Sequence, residues 1–155
     1  MERVEELIRQ YLDEAKLMQI ATTNSGKPWV ASVWYVSDSS LNLYFISRRK
    51  RRHSLELEQN HNVAGTVVTP HTVGSGEKVR GLQFEGTARE CSGDEIKRAK
   101  ELYLRKYSKA EDIPLEKLQD KSFIAAFYIV SPQSFVLFDE INFPEEPRQE
   151  FVIGK

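Results

Sequence analysis

The segment Leu43-Tyr-Phe-Ile-Ser47, followed by Arg48-Arg-Lys-Arg-Arg-His53 and Ser54-Leu-Glu-Leu-Glu-Gln-Asn60, combines a strand, a basic turn and a short helix. Apolar and aromatic residues predict the strand, and the mixture of leucine and polar residues that comes later predicts the helix. The first N–H groups of a helix have no partners within it, and the helix dipole favours negative charge there. Arginine adds paired hydrogen bonds to phosphate oxygens. The sequence therefore predicts an anion site at this turn.

The rest of the chain reads as further helices and strands. Asn24–Lys27 and Ser37–Ser40 are turn-forming segments, so the strands that flank them form two consecutive hairpins. Ser92 and Glu95 form a capping box, which predicts the start of a helix. The other predicted elements are a helix near residues 2–15, strands at 17–23, 28–36, 42–47, 63–69 and 79–90, and a sixth strand over 123–138 that is interrupted at Ser131-Pro132.

The order of these elements indicates the fold class. Two hairpins in a row are typical of an antiparallel meander, and helices linking parallel strands by short crossovers are not predicted. The predicted fold is mainly β (α+β), a six-stranded antiparallel barrel with flanking helices that cover its ends. A chain of 155 residues suits a single core, so residues 1–155 are expected to form one domain.

Charge and cysteine content argue against several classes of protein. The net charge of −1, from 22 basic and 23 acidic residues, gives no broad positive field, so nucleic acid is not an expected partner. The single cysteine, Cys91, can form no disulfide within the chain, and no apolar run approaches membrane-spanning length. These features predict a cytoplasmic protein without a membrane segment. The histidines and Cys91 lack a metal-ligand spacing, so no metal is expected.

Four groups of residues occur in a recognisable order over roughly residues 5–140. They are Gly26-Lys-Pro28 leading into Ala31-Ser-Val-Trp-Tyr35; Tyr44-Phe-Ile-Ser47 with Arg52-His53 and Leu57-Glu-Gln-Asn60; Arg80-Gly-Leu-Gln-Phe-Glu-Gly86; and Phe127-Tyr-Ile-Val-Ser-Pro132. Together they resemble the FMN-binding split-barrel superfamily, which contains pyridoxamine 5′-phosphate oxidase. The basic turn and the Arg-Gly-Leu-Gln-Phe sequence are similar to those of a small bacterial branch of that superfamily.

This resemblance implies a homodimer that binds FMN at the subunit interface and acts on a small-molecule substrate. The phosphate would be held by Ser47, Arg52 and His53, with His53 standing where the superfamily usually has lysine. Eight positions are implied to contact FMN: Ser32, Val33, Trp34, Ile46, Ser47, Arg52, His53 and Arg80.

The remaining implied contacts concern the ring and the ribityl chain. Backbone groups of Ser32, Val33 and Trp34 would meet the edge of the isoalloxazine ring, and Arg80 would reach the phosphate or the ribityl chain. Ile46 stands where many members have threonine. The superfamily's oxidase has an arginine in its second strand and an Arg-x-His segment near its C-terminus, and this chain has neither. Oxidation of pyridoxamine phosphate is therefore not the expected reaction.

Three functional classes fit these features. The first is an FMN-dependent oxidoreductase or flavin reductase, of which a deazaflavin-dependent reductase is a variant, because the cofactor supplies the electron chemistry and the protein orients it. The second is a haem-binding or haem-degrading protein with His53, His61 or His71 as the axial ligand. The third is a non-catalytic flavin-binding module. No catalytic side chain is identified, and FMN oxidoreductase is the preferred hypothesis.

Several residues have a structural interpretation as well as a functional one. The basic turn also fits a solvated charged surface or a nucleic-acid patch, and Arg48, Arg49 and Lys50 are predicted to be surface charges. Trp29 and Trp34 are an odd number of residues apart on one strand, so they face opposite sides, with one in the core or at a dimer interface. Four aromatic residues exceed what a small barrel needs and are predicted at a dimer interface: Phe123, Phe127, Phe135 and Phe138.

Overall fold

A computed structural model describes residues 1–154 of the protein. In chain order its elements are α1 Glu2–Glu14, β1 Leu17–Asn24, β2 Lys27–Trp34, β3 Val36–Ser37, β4 Leu43–Arg48, α2 Arg52–Gln59, β5 Asn62–Val68, β6 Arg80–Glu90, α3 Asp94–Lys106, α4 Leu115–Gln119, β7 Ala125–Asp139 and β8 Arg148–Val152. Among these residues, no helix combines the length and the apolar character needed to cross a membrane.

The strands form one antiparallel sheet in the order β2-β1-β5-β6-β7-β4-β3, and β8 pairs with β7. The predicted antiparallel architecture is confirmed, but the predicted number of six strands is wrong. Val36–Ser37 forms a separate short strand, and Arg148–Val152 adds an eighth strand that the sequence pattern did not predict. Strands β2 and β4 approach each other without sharing a hydrogen-bonded ladder. The sheet therefore curls into a half-barrel that is split between β2 and β4.

Strand β7 runs without a break through the predicted interruption at Ser131-Pro132. The register of β6 against β7 shifts between Glu85 and Gly86, directly opposite this dipeptide. Such a bulge accommodates a proline, which cannot donate to the ladder. The backbones approach so closely there that a Cβ on residue 86 would lie 2.2 Å from the Ser131 carbonyl oxygen. Glycine is therefore required at this position.

Apolar side chains form two cores rather than one. The first fills the barrel between the sheet and α1. The second lies between helices α3 and α4 and the outer face of strands β4 and β7. Phe135 is fully buried in the first core, whereas Phe127 is 3% exposed in the second core, with Phe123 packed against it. The predicted dimer interface of phenylalanines is therefore wrong for these three residues, because Phe135 fills the barrel interior and helices α3 and α4 cover Phe123 and Phe127. Phe138 is half-buried.

The part of the outer face of the sheet that lies away from α3 and α4 carries exposed apolar side chains. A groove of about 740 Å³ crosses strands β1, β2, β5, β6, β7 and β8, and Val30 and Val152 are among its lining residues. Neither tryptophan of β2 is buried, since Trp29 is 42% exposed and Trp34 is 52% exposed. The prediction that they face opposite sides agrees with their neighbours: Trp29 packs against Arg52, and Trp34 meets Tyr107 edge-on. The prediction that one of these two tryptophans lies in the core is therefore wrong.

Candidate functional site

Arg52, the first residue of α2, is held in a defined orientation at one end of the split. Its Nε donates to Glu56 Oε1 at 2.8 Å, and its guanidinium carbon lies 4.2 Å from the centre of the Trp29 ring. Glu56 is 6% exposed, and its other oxygen accepts a hydrogen bond from the Thr22 hydroxyl at 2.6 Å. Four residues from α2, β1 and β2 thus form one connected cluster, here called the Arg52 cluster.

Ser47 and His53 lie beside the Arg52 cluster and contact each other. Ser47 Oγ and His53 Nε2 are 2.8 Å apart, and the His53 ring packs at a tilt against Phe45. His53 is 9% exposed, so it sits behind Ser47 rather than on the surface of the turn. Burial, reinforced by the nearby positive charge of Arg51, lowers the pKa of His53 below its ordinary value. His53 is therefore neutral at pH 7 and orients the Ser47 hydroxyl instead of adding a positive charge.

The lowered pKa of His53 predicts an acid-sensitive structure. The unfolded chain binds a proton at His53 near pH 6.5, whereas the folded chain resists protonation until a lower pH, so stability falls as the pH drops below about 6.5. A His53→Gln variant should lose this part of the pH dependence. Urea denaturation of both proteins between pH 7.5 and pH 5 checks the prediction. The exposed His61, replaced by glutamine, serves as the control, and parallel pH profiles for wild type and His53→Gln would contradict the assignment.

The N-terminus of α2 adds backbone donors to this region. Arg51 precedes the helix in an extended conformation, and no side chain caps the first turn. The first hydrogen bond that closes the helix comes from the Leu55 N–H to the Arg51 carbonyl. The N–H groups of the three residues between them are thus available to an anion, as is usual at a helix start.

Arg49 differs from the other cations of the turn. Its guanidinium pairs with the carboxylate of Glu90 and donates to the Phe123 carbonyl at 2.9 Å, and Glu90 also pairs with Lys121. The prediction that Arg49 is a surface charge is wrong, because it ties the turn to β6 and to the segment before β7. Arg48, Lys50 and Arg51 are exposed and form no salt bridge within residues 1–154.

Strand β2 presents an unpaired edge to the split. The β1–β2 hairpin has a two-residue loop in which Ser25 and Gly26 have φ of 52° and 73°. A loop of this kind makes Asn24 and Lys27 a hydrogen-bonded pair, and such pairs then recur at every second residue. The bond from the Tyr35 N–H to the Lys16 carbonyl continues the same alternation.

This alternation divides the predicted ring contacts on β2. Val33 lies opposite Met18 at a hydrogen-bonded position, so its backbone groups point toward β1. The backbone groups of Ser32 and Trp34 point away from β1, toward the free edge. The backbone groups of Val33 are therefore turned away from the split, whereas those of Ser32 and Trp34 face it; contact of any of them with a flavin ring stays a prediction.

Ile46 points away from the Arg52 cluster. It packs on the second core and lines a pocket of about 260 Å³ together with Tyr103 of α3 and Leu118 of α4. Successive residues of a strand face opposite sides, so Ile46 and Ser47 cannot both turn their side chains to the same ligand. A side-chain role for Ile46 in the predicted site is excluded by this orientation.

Arg80 is also separated from the other predicted residues. Arg80 begins β6, and Glu90 ends it. Glu90 pairs with Arg49 of the basic turn, so Arg80 lies a strand length of about 33 Å from that turn. Its guanidinium lies 5.5 Å from the centre of the Tyr11 ring. The Tyr11 hydroxyl donates to buried Asp139 at 2.5 Å. Arg80 therefore belongs to a network at the opposite end of the barrel.

Asp139 is the centre of that network. It is fully buried, and its carboxylate accepts hydrogen bonds from the Tyr11 hydroxyl, from the Asn142 side chain and from the backbone N–H groups of Ile141 and Asn142. Burial alone would raise the pKa of Asp139, but these hydrogen bonds outweigh it and the pKa is lowered. The network fastens the chain after β7 to α1.

Three residues of the Arg52 cluster were not predicted: Thr22, Trp29 and Glu56. The pair Arg52–Glu56 has the i,i+4 spacing of a helical ion pair, which is a signal visible in the sequence. Thr22 and Trp29 are opposite each other in the β1–β2 register, but their contact with α2 depends on tertiary packing. Within residues 1–154, no group of three or more histidine, cysteine, aspartate or glutamate side chains is placed to hold a metal ion.

Comparison with solved structures supports the split-barrel fold. The chain superposes on Campylobacter jejuni ChuZ with a TM-score of 0.78 at 11% identity, covering 99% of this chain and 61% of that one. For HutZ from Vibrio cholerae, described as a haem storage protein, the TM-score is 0.66 at 17% identity, with coverage of 97% and 94%. For a pyridoxamine 5′-phosphate oxidase-like protein from Listeria innocua it is 0.65 at 16% identity, with coverage of 86% and 97%.

Sequence comparison identifies the family. The chain is 30% identical over 109 residues to a UPF0306 protein of Citrobacter koseri. The alignment covers 69% of this chain and 73% of that protein. A UPF0306 protein of Salmonella paratyphi A is 31% identical over 109 residues, with coverage of 69% and 72%. The family model described as pyridoxamine 5′-phosphate oxidase matches residues 4–126, which include the Arg52 cluster. The chain therefore belongs to the pyridoxamine 5′-phosphate oxidase family.

Proposed function

We propose that this protein is an FMN-binding flavoprotein, with residues 1–155 acting as one FMN-binding domain and the FMN phosphate bound at the Arg52 cluster. The observation that carries this proposal is the orientation of Arg52. Its Nε is engaged by Glu56, and its side chain remains 46% exposed, so the two terminal nitrogens face solvent at the split. A guanidinium held in this way suits the paired oxygens of a phosphate.

Neighbouring groups complete a receptor for a phosphate dianion. The Ser47 hydroxyl, oriented by His53, and the free N–H groups at the start of α2 provide hydrogen-bond donors, and Arg51 adds positive charge. In this proposal His53 acts through Ser47 and does not bind the phosphate directly. Arg80 is left out because it belongs to the Asp139 network at the far end of β6.

The flavin ring would lie along the free edge of β2. The backbone N–H and C=O groups of Ser32 and Trp34 face the split, where they can pair with the polar edge of the ring. Bound FMN would supply the electron-transfer chemistry of an oxidoreductase or flavin reductase. The residues of this chain bind and orient it, and nothing in the Arg52 cluster selects a particular electron donor or small-molecule substrate.

The proposal includes a homodimer formed through the outer face of the sheet. Leu17, Val30, Val68 and Val152 are between 39% and 58% exposed on this face, around the groove of about 740 Å³. Polar residues such as Gln19 and Thr66 lie between these apolar side chains, and a mixed surface of this kind is typical of protein–protein interfaces. Light scattering coupled to gel filtration should give twice the mass of the 17.9 kDa chain, and a monomer would remove this part of the proposal.

The absorption spectrum of the purified protein tests FMN binding. After incubation with equimolar FMN and gel filtration, we expect visible flavin bands to travel with the protein. Riboflavin lacks the phosphate that the Arg52 cluster would bind, so the protein should retain riboflavin more weakly than FMN. A protein that passes FMN through the column without retaining any of it would contradict the proposal.

Haem binding is the second candidate, because two of the similar solved structures, HutZ and a mycobacterial haem-binding protein, carry haem in their names. Of the three histidines, His61 is best placed. Its Nδ1 lies 3.2 Å from the Ala88 carbonyl oxygen, and no hydrogen bond to its Nε2 forms within the described part of the chain. A ring nitrogen fixed by a carbonyl is a common arrangement for a metal-binding histidine.

His53 and His71 are less available for haem. His53 is buried against Ser47, and His71 Nε2 accepts a hydrogen bond from the Arg80 N–H at 3.2 Å. Titration with hemin separates the two functions. A Soret band that is lost in His61→Ala but kept in Arg52→Ala would favour haem, whereas flavin retention that is lost only in Arg52→Ala favours FMN.

A further inference from the structure

We propose that Glu56 and Trp29 are positioning residues that make the site select phosphorylated flavins over riboflavin. This inference rests on the proposed FMN function and concerns the same site. Glu56 and Trp29 need not touch the ligand in this proposal. They act by restricting the Arg52 guanidinium to one orientation before the ligand arrives.

Glu56 restrains one edge of the guanidinium. Its carboxylate lies between the Arg52 Nε and the Thr22 hydroxyl, at 2.8 Å and 2.6 Å. The hydrogen bond from Thr22, followed by that from Arg52, lowers the pKa of Glu56 below its ordinary value. Glu56 is therefore ionised at neutral pH although it is only 6% exposed. Thr22 belongs to the hydrogen-bonded β1–β2 hairpin, so the Glu56 carboxylate connects Arg52 of α2 to the sheet.

Trp29 restrains one face of the guanidinium. The distance of 4.2 Å from the guanidinium carbon to the ring centre is that of a cation–π contact. With its Nε directed to Glu56 and one face against the indole, Arg52 retains its two terminal nitrogens for a ligand. Restricting a long side chain in advance reduces the conformational entropy that binding must remove, so the phosphate contact becomes stronger.

Charge and positioning make opposite predictions for Glu56. If only net charge mattered, the carboxylate would oppose a phosphate dianion, and its removal would tighten FMN binding. If positioning matters more, its removal weakens the phosphate contact despite the gain in positive charge. The near-isosteric substitution Glu56→Met distinguishes these cases because it removes both the charge and the hydrogen-bond acceptor.

The measurement is the ratio of the riboflavin dissociation constant to the FMN dissociation constant, obtained by flavin fluorescence for each variant. We expect the ratio to fall about fivefold in Glu56→Met and in Trp29→Leu, since each removes one contact to Arg52. Trp29→Phe, which keeps an aromatic face, should restore most of the ratio. Val73→Ala, at an exposed residue of the loop between β5 and β6 that belongs to no proposed site, should leave the ratio unchanged.

The possible outcomes separate this inference from the function on which it rests. A wild-type protein that binds neither flavin overturns both. A protein that binds FMN with a ratio that stays the same or rises in Glu56→Met and Trp29→Leu overturns the positioning role alone. Trp29 is 42% exposed, so Trp29→Leu is expected to fold and decides the question even if Glu56→Met does not. A change in riboflavin affinity equal to the change in FMN affinity would indicate a general structural effect and would also overturn the inference.

Discussion

Arg52→Ala is expected to weaken FMN binding by about 100-fold, because it removes a bidentate, charge-assisted contact to the phosphate. It also leaves the carboxylate of Glu56 buried beside the ligand without its arginine partner. Riboflavin, which has no phosphate, should lose much less affinity. Fluorescence titration of the wild-type and variant proteins with both flavins measures the two effects.

Arg48→Ala provides the matched control for this prediction. Arg48 is an exposed cation in the same basic turn, without a salt bridge in the described residues, and its removal changes the net charge by the same amount. We expect FMN affinity to change by less than about fivefold, because exposed charges are screened by solvent and salt. Equal losses in Arg48→Ala and Arg52→Ala would show that the turn acts as a diffuse charge and not through one oriented guanidinium.

Asp139→Ala is expected to lower the free energy of unfolding by about 2–4 kcal/mol, because each buried donor left without an acceptor costs about 1–3 kcal/mol. The substitution leaves the Tyr11 hydroxyl and the backbone N–H groups of Ile141 and Asn142 without their acceptor. Urea denaturation at pH 7 measures the change. Asp112→Ala is the control, because Asp112 pairs with Lys100 on the surface, where such a pair contributes at most about 1 kcal/mol.

The contribution of Asp139 should depend on pH in a defined direction. Its pKa is lowered in the folded protein, so the unfolded chain binds a proton there at a higher pH than the folded chain does. The stabilisation is present above the unfolded pKa of about 3.9 and is lost as the pH falls through the folded value. Stability of Asp139→Asn should fall less steeply in acid than that of the wild type. Identical acid denaturation curves would contradict this assignment.

The family does not by itself determine the ligand. Proteins with this split-barrel fold include HutZ, described as a haem storage protein, and a protein described as a pyridoxamine 5′-phosphate oxidase. A shared fold can carry unrelated functions, so the ligand depends on the residues of the site. The oriented guanidinium of Arg52 favours FMN, whereas the exposed His61, with its ring fixed by a carbonyl, would suit haem.

The amino-acid sequence alone was sufficient for the local elements. Asn24–Lys27 specifies a tight hairpin, alternating apolar residues specify the strands, and the basic residues before α2 predict an anion site. These features depend on residues close together in the chain, which is why patterns of two or four residues reveal them. The sequence patterns did not predict the two-residue strand β3 or the pairing of β8 with β7.

Only the tertiary structure decided which side chains meet at the site. Arg52 and Trp29 are brought together by the packing of α2 on the β1–β2 hairpin, whereas the position of Arg80 on β6 puts it in a separate network. Helices α3 and α4 cover Phe127, which sequence patterning could not distinguish from an interface residue. The physical reason is that burial and contact depend on the order and curl of the strands, and these are fixed by many long-range pairings at once, not by any single segment.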